Sequence, residues 1–317
     1  MKTIACIVCT SIIAIASAAY PEGPVKIVVG AGPGSASDVR ARWLASNLEP
    51  LLGQPVIVEN LSGAASLIAA RSVARSVADG HTLLLAHIGN MIVLPQITEN
   101  VGYDPVVDFA AVSRISTGYP VLTCSSAFPA KSVGELVAIA KQKPGALNWG
   151  NTGIGTPPWL MGELFRRTAG IEMTQVQYKG GGDLLADLIG GRIDCWMEGP
   201  AILIPHIKSG KIRALAVAGP TRIASLPDVP TMSEAGLPAY VFQGWMGIVA
   251  PAATPRAVIE RLNAAMRKVL STQESRVYFE EFAGVPVQET PEEFGAFMRA
   301  ETAKWVPLVR EANIKRD

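Results

Sequence analysis

The sequence predicts an α/β protein of two lobes, each a mainly parallel sheet flanked by helices, with a ligand cleft between them. Three observations carry that expectation. Short β-rich runs alternate with amphipathic segments, the pattern of strands wound with crossover helices. A chain of 317 residues exceeds what one hydrophobic core usually holds. Two glycine-rich loops, one in each half, lead from a strand into a helix.

At the start of the chain, Lys2 is the only charge before Glu22, and an apolar run over residues 4–16 ends in Ala16-Ser17-Ala18. A positive start, a short apolar core and a small-residue exit describe a secretory signal peptide over residues 1–18. The run is shorter than the roughly 20 residues of a membrane span. The stretch over residues 82–97 is no span either, because His87, Asn90, Pro95 and Gln96 interrupt it. A periplasmic product, soluble after cleavage behind Ala18, is expected. Removing Lys2 takes the 28 basic residues down by one, equal to the 27 acidic ones. Zero formal charge leaves no electrostatic footprint for nucleic acid or an anionic membrane. Of four cysteines, Cys124 and Cys195 remain after cleavage, and no Cys or His spacing resembles a metal site. Two separate buried thiols are expected, with one disulfide as the alternative in an oxidising compartment.

Val25–Val29, apolar except for Lys26, reads as a strand buried on both faces. A Gly/Ser loop follows, then a helix with Val39, Trp43, Leu44, Leu48 and Leu51 on one side. A strand over residues 55–59, an Ala-rich helix over residues 64–77, the turn Asp79-Gly80 and a strand over residues 82–86 complete the first unit. In the middle, residues 121–124 read as a strand, and Ser132-Val133-Gly134-Glu135 is a capping box for a helix that stops at Pro144-Gly145. Strands near residues 147–150, 173–176, 193–197 and 214–218 alternate with further helices, and the tail is mostly helical. There Thr254-Pro255 and Thr290-Pro291 each place an N-cap before a proline at the first helical position.

The first glycine-rich loop, Gly30-Ala31-Gly32-Pro33-Gly34-Ser35, imitates a dinucleotide fingerprint, with Glu59 as the acid that would hold a ribose. A flavin- or nicotinamide-dependent oxidoreductase is therefore the alternative reading. The match is imperfect: Ser35 stands at the third glycine position, Glu59 lies beyond the usual spacing, and the leader lacks the Arg pair of a folded-export signal. The same backbone N–H groups and helix dipole suit a carboxylate, and no cofactor or metal is expected. A hydrolase is disfavoured because no Gly-x-Ser-x-Gly elbow occurs. Among three histidines, His81 reads as an exposed turn residue and His206 as solvated. His87 follows an apolar strand at the end where α/β sheets bind ligands. The second glycine-rich loop is Gly150-Asn151-Thr152-Gly153-Ile154-Gly155-Thr156-Pro157, and Tyr178-Lys179-Gly180-Gly181-Gly182 is a third. Trp159, Trp196 and Trp245 fall close to these loops or to strand ends, where a ring stacks on a planar ligand or packs in a core.

Ordered landmarks run through the mature chain: Tyr20-Pro21, Pro33-Gly34-Ser35-Ala36-Ser37-Asp38-Val39-Arg40, Leu52-Gly53-Gln54-Pro55, Val58-Glu59-Asn60, Gly63-Ala64, Asp79-Gly80-His81-Thr82-Leu83, Tyr103-Asp104-Pro105, Lys143-Pro144-Gly145, Tyr178-Lys179-Gly180 and Pro227-Asp228-Val229-Pro230-Thr231. With them the sequence resembles the Bug family of periplasmic solute-binding proteins, receptors of tripartite tricarboxylate transporters. The resemblance implies a type II-like periplasmic binding protein: lobe one over residues 19–118 plus 242–317, lobe two over 119–241. It implies capture of a small aliphatic or aromatic carboxylate without chemistry, by a monomer that delivers it to membrane transporter subunits or a sensor kinase. Carried onto matching positions, it nominates Gly34, Ser35, Ala36, Ser37 and Asp38 from lobe one, and His87, Gly89 and Asn90 after the third strand. From lobe two it nominates Thr152, Gly153, Gly155 and Thr156. Three departures from the family pattern are Ser35 for a glycine, Trp159 for a histidine and Glu198 for an aspartate, and all three are counted as ligand contacts. Asp38 is expected to orient its loop or a water, since it would repel a carboxylate directly.

Overall fold

The computed structural model describes residues 20–281 and 284–311. The expected signal peptide lies outside the described residues. The chain opens with β1 (Val25–Val29), α1 (Ala36–Leu52), β2 (Val56–Asn60), α2 (Leu67–Ala74), β3 (Thr82–His87), α3 (Leu94–Ile97) and β4 (Phe109–Gly118). β1 pairs in parallel with β2 on one side and β3 on the other, so its apolar run is enclosed. Helix α1 is capped by Ser35, whose hydroxyl accepts from Asp38 N, and ends at a left-handed Gly53. Its buried face is Ala41, Leu44, Ala45, Leu48 and Leu52. Val39 turns outward (43 % exposed), and Trp43 stacks on Tyr278 at 4.4 Å.

A short crossing leads into β5 (Val121–Ser125), α4 (Val133–Gln142), β6 (Asn148–Asn151), α5 (Pro157–Ala169), β7 (Thr174–Gln177), α6 (Gly181–Ile189), β8 (Cys195–Glu198), α7 (Pro200–Lys208) and β9 (Ile212–Val217). The capping box of α4 forms as expected, with Glu135 N donating to Ser132 Oγ at 3.2 Å. The chain then returns through β10 (Gly244–Pro251), α8 (Arg256–Leu270), α9 (Gln273–Glu281), β11 (Gly284–Pro286) and α10 (Pro291–Glu311).

Two sheets result, one ordered β11-β4-β10-β3-β1-β2 and the other β7-β6-β8-β5-β9. Apart from β11 they share one plan: the second, first and third wound strands, then a strand arriving from the other lobe, then a fourth. Both arriving strands run against their neighbours: β10 is antiparallel to β3 and β4, and β5 to β8 and β9. The sheets are therefore mixed: most strands of each run one way, and β10 and β11 in one sheet and β5 in the other run against them. The reversed strands that arrive from the other lobe are β10, which carries no sequence expectation, and β5; β4, also without an expectation, runs with the wound strands. The physical reason is that a strand entering from the partner lobe starts at the cleft, whereas a wound strand ends there.

Three local expectations are corrected. Cys124 and Cys195 stand opposite each other on β5 and β8 and are joined as a disulfide. Their spacing in sequence gave no sign that two strands would bring them together. The helix expected over residues 64–77 is shortened to α2, because Ala64, Ala65 and Ser66 all have left-handed backbones (φ 48°, 56° and 79°). At α8 the N-cap is Pro255, and the Thr254 hydroxyl is buried without capping it. Thr290, in contrast, does cap α10 reciprocally with Glu293.

The largest core cluster is continuous across both lobes. Met91, Leu94 and Ile97, which follow β3, pack in the same cluster as Trp159 and Leu160 of α5 and Trp305 of α10.

Candidate ligand-binding site

Parallel strands deliver their C-terminal ends to one edge of a sheet, and the loops there are where α/β proteins bind small molecules. In the first sheet that edge holds the Gly30–Ser35 loop, Asn60 and His87. Gly34 adopts φ +78°, a conformation that a side chain resists, and its amide donates to Asp38 Oδ2 at 2.9 Å. Asn60 Nδ2 donates both to Ala31 O and to Asp38 Oδ1, each at 2.9 Å. Arg42 completes the clamp, with Nε 3.1 Å from Asp38 Oδ2 and a 3.0 Å bond from Nη2 to Asn60 Oδ1. Burial alone would raise the Asp38 carboxyl, but the Arg42, Gly34 and Asn60 bonds outweigh it and hold the pKa below the ordinary value. Asp38 thus has both oxygens engaged by its own loop, as a loop-orienting residue should. The first turn of α1 leaves the Ala36 and Ser37 amides without intrahelical acceptors.

His87 fixes the other flank of this loop. Gly89 N donates to its Nδ1 at 3.0 Å, and its Nε2 lies 3.3 Å from Ser66 Oγ, which in turn bonds Gly30 O at 3.2 Å. Burial pushes the His87 pKa down to about 4, so the ring is neutral at pH 7. Since Nδ1 is an acceptor, Nε2 carries the proton and donates to Ser66, whose hydroxyl hydrogen goes to Gly30 O. This pair has the spacing of a nucleophile and its base but the wrong tautomer to deprotonate a serine. Asn90 is engaged at both ends of its amide: its Oδ1 takes the His87 amide at 2.8 Å and its Nδ2 donates to Leu85 O at 3.1 Å.

The corresponding edge of the second sheet holds the Thr152–Thr156 loop and Glu198. Gly153 N donates to Asn151 Oδ1 at 2.8 Å, and Thr156 Oγ1 donates to Gly153 O at 2.7 Å. Thr152 Oγ1 lies 3.3 Å from Thr156 Oγ1. Gly153 and Gly155 have positive φ, 116° and 90°. Helix α5 begins with Pro157 and Pro158, so two of its first-turn positions have no N–H to offer. Glu198 ends β8 opposite Val121, where the chain has just crossed from the first sheet. Among the described residues its carboxylate takes one hydrogen bond, from the Gly199 amide at 2.7 Å, and burial, which that bond offsets only in part, pushes its pKa up to about 7.

The two edges meet. A Cβ built on Gly89 would come within 2.9 Å of Gly155 O, and one on Gly155 within 2.9 Å of Leu94. A chain of contacts thus runs from Gly30 through Ser66, His87 and Gly89 to Gly155. Ser35, Ala36, Ser37, Thr152, Gly153 and Thr156 are half-buried around it, and Gly34 is exposed. Trp159 is not among these polar groups: it is 3 % exposed and part of the core cluster, and Trp196 and Trp245 are core residues too. Glu59 also falls away from the loop, pairing with Lys26 at 2.7 Å. A strand alternates its faces, so the side chain that enters the loop from β2 is Asn60, and the acid a dinucleotide ribose would need points elsewhere. Asn60, Arg42 and Ser66 carried no functional expectation. Asn60 was the most findable, because it is the last residue of a strand beside a glycine-rich loop.

The sequence model described as "Tripartite tricarboxylate transporter family receptor" matches residues 40–314. The chain belongs to this receptor family. Protein BugT of Bordetella pertussis is 33 % identical over 297 residues, covering 93 % of this chain and 91 % of that protein. Among solved structures, Rpa4515 of Rhodopseudomonas palustris with adipate is 32 % identical with a TM-score of 0.88, covering 93 % of this chain and 99 % of the other. MatC from the same organism, with bound malate, is 29 % identical with a TM-score of 0.86, covering 92 % and 100 %. Members of the receptor family are periplasmic binding proteins. No described helix is long and apolar enough to cross a membrane.

Proposed function

We propose that this chain is an exported receptor that captures a small carboxylate in the cleft and presents it, closed, to the membrane subunits of a tripartite transporter. The observation that carries the reading is the convergence of two glycine-rich loops from different sheets on the His87–Gly89 segment. The amides of Ala36 and Ser37, the Ser35 and Ser37 hydroxyls and the Thr152–Thr156 loop would hold the carboxylate. Asp38, Asn60, Arg42, His87 and Asn90 would position them. Lobe one is taken as residues 19–118 plus 242–317 and lobe two as 119–241. A ligand that touches both loops favours the closed state, and a membrane partner reads closure. The adipate and malate bound by two relatives support a carboxylate. The leader pattern and the Cys124–Cys195 disulfide suit the periplasm.

The test is a thermal-shift and calorimetric screen of residues 19–317 against aliphatic, aromatic and amino-acid carboxylates. A ligand at a hundredfold excess over its Kd adds about 2.7 kcal/mol of stability. One carboxylate should give a clear shift that Ser37→Ala and Thr156→Ala weaken. A flat panel with a cleft that mass spectrometry finds empty would sink the reading.

A further inference from the structure

Resting on the carboxylate reading, one acidic side chain at the cleft edge has no structural task. Glu198 closes β8 at the edge shared with the Thr152–Thr156 loop: β6 and β8 are parallel, with Gly150 level with Trp196, so Thr152 and Glu198 leave the sheet side by side. It also faces Val121, the first residue of the strand that arrives from the other lobe. A Cβ placed on the next residue, Gly199, would meet no heavy atom within 4 Å, so space lies open beside it. Its single bond is to that neighbouring amide, and no cation pairs with it among the described residues.

The other charged groups of the cleft are accounted for. Asp38 is held by Arg42 and Asn60, His87 is neutral within its own chain of bonds, and Lys179 is exposed on its loop. An acidic group that keeps an unpaired oxygen beside a carboxylate site repels an unsubstituted carboxylate ligand. It gains a partner only from a ligand that carries a hydrogen-bond donor. Sites built to pair a ligand's OH or NH discriminate strongly against the analogue that lacks it, because the site's own polar group is then left unpaired.

We propose that Glu198 is a specificity-determining residue that accepts a hydrogen bond from the ligand, selecting carboxylates that bear a hydroxyl or amino group over unsubstituted ones. Glu198 acts as acceptor in its ionised form, which sets pH 8 as the condition for the test.

Binding at pH 8 is measured by calorimetry for two matched series: succinate, malate and aspartate, and benzoate, 4-hydroxybenzoate and 4-aminobenzoate. The parent protein should bind a donor-bearing member at least tenfold more tightly than its unsubstituted analogue. In Glu198→Ala that ratio should fall to about one. The hydroxyl and amino arms tell which donor the site reads. Equal affinity across a series in the parent, or an unchanged ratio in Glu198→Ala, overturns the inference and leaves carboxylate capture standing. No binding by any member of either series overturns the inference, and carboxylate capture falls with it only if the broader carboxylate panel is also flat and mass spectrometry finds the cleft empty. Glu198→Gln separates charge from hydrogen bonding: its amide oxygen still accepts, so part of the ratio should return, and a ratio as flat as in Glu198→Ala would argue against an acceptor role.

Discussion

The two glycine-rich loops look alike in sequence and are built differently. The loop of the first sheet is held from outside by charged and ring side chains: Asp38 with Arg42 and Asn60 on one flank, His87 with Ser66 on the other. The loop of the second is held from within, by Asn151 and two threonine hydroxyls. The first opens onto a helix whose early amides are present, the second onto a pair of prolines that have none. The lesson is that a strand-to-helix glycine loop is not by itself an anion site. What matters is which donors remain and what fixes them. The lobes differ in the same sense, since lobe two adds a covalent tie across its sheet.

The largest effect should break lobe two. Replacing both Cys124 and Cys195 with Ala frees a loop closed over a separation of 71 residues. The loop-entropy model puts the loss at about 4 kcal/mol, read as a lower urea midpoint. A midpoint unchanged within error would show that the tie contributes nothing.

Next is the pH response of Glu198. Its carboxyl ionises near 4.5 when unfolded but near 7 in the fold, so the native state binds the extra proton between those values. The contribution is present below pH 4.5 and lost as pH rises through 7, with a ceiling of about 3 kcal/mol. His87 runs the other way: its pKa falls from 6.5 to about 4, so its contribution is lost as pH falls through that window. The two mask each other in the parent. The difference between Glu198→Gln and the parent exposes one of them, and it should grow in favour of the variant from pH 4.5 to 7. A constant difference would mean that Glu198 is not desolvated.

The loop comparison itself is sharpened by Asp38→Ala against Thr156→Ala. The first leaves the Gly34 and Asn60 donors and the Arg42 cation without their acceptor, a loss of about 2 to 3 kcal/mol. The second removes two neutral bonds, one of them long at 3.3 Å, a loss of about 1 kcal/mol. Equal losses in chemical denaturation would erase the distinction drawn between the loops. The smallest effect is a gain. Ala65 sits at φ 56°, ψ 40°, so Ala65→Gly should raise stability by about 1 kcal/mol by relieving a left-handed alanine. A destabilised variant would mean that its methyl packing outweighs the strain.

The wound strands and their helices were legible because their signals are local: the apolar run of β1, the caps at Ser132 and Thr290, the prolines that open α5. The helix face of α1 was read one step off, since Val39 and Trp43 are apolar yet lie toward the rim. β4 and β10 escaped because their neighbours are far away in sequence. Their pairing, Gly244 with Gly118 through Pro251 with Phe109, depends on the chain leaving for the other lobe and returning. In the site, the loops and His87 could be nominated from glycine spacing and strand ends, but Trp159 could not be told from a core tryptophan.

Sequence alone determined the two-lobed α/β plan, the family resemblance and the glycine loops, because periodicity, caps and turn residues act within a few positions of themselves. Only the tertiary structure decided that Cys124 meets Cys195, that Asn60 and not Glu59 enters the loop, that His87 is a neutral strut, and that Glu198 has no cation beside it among the described residues. Each depends on which strand lies beside which and on how much water remains, and neither quantity is set by neighbours along the chain.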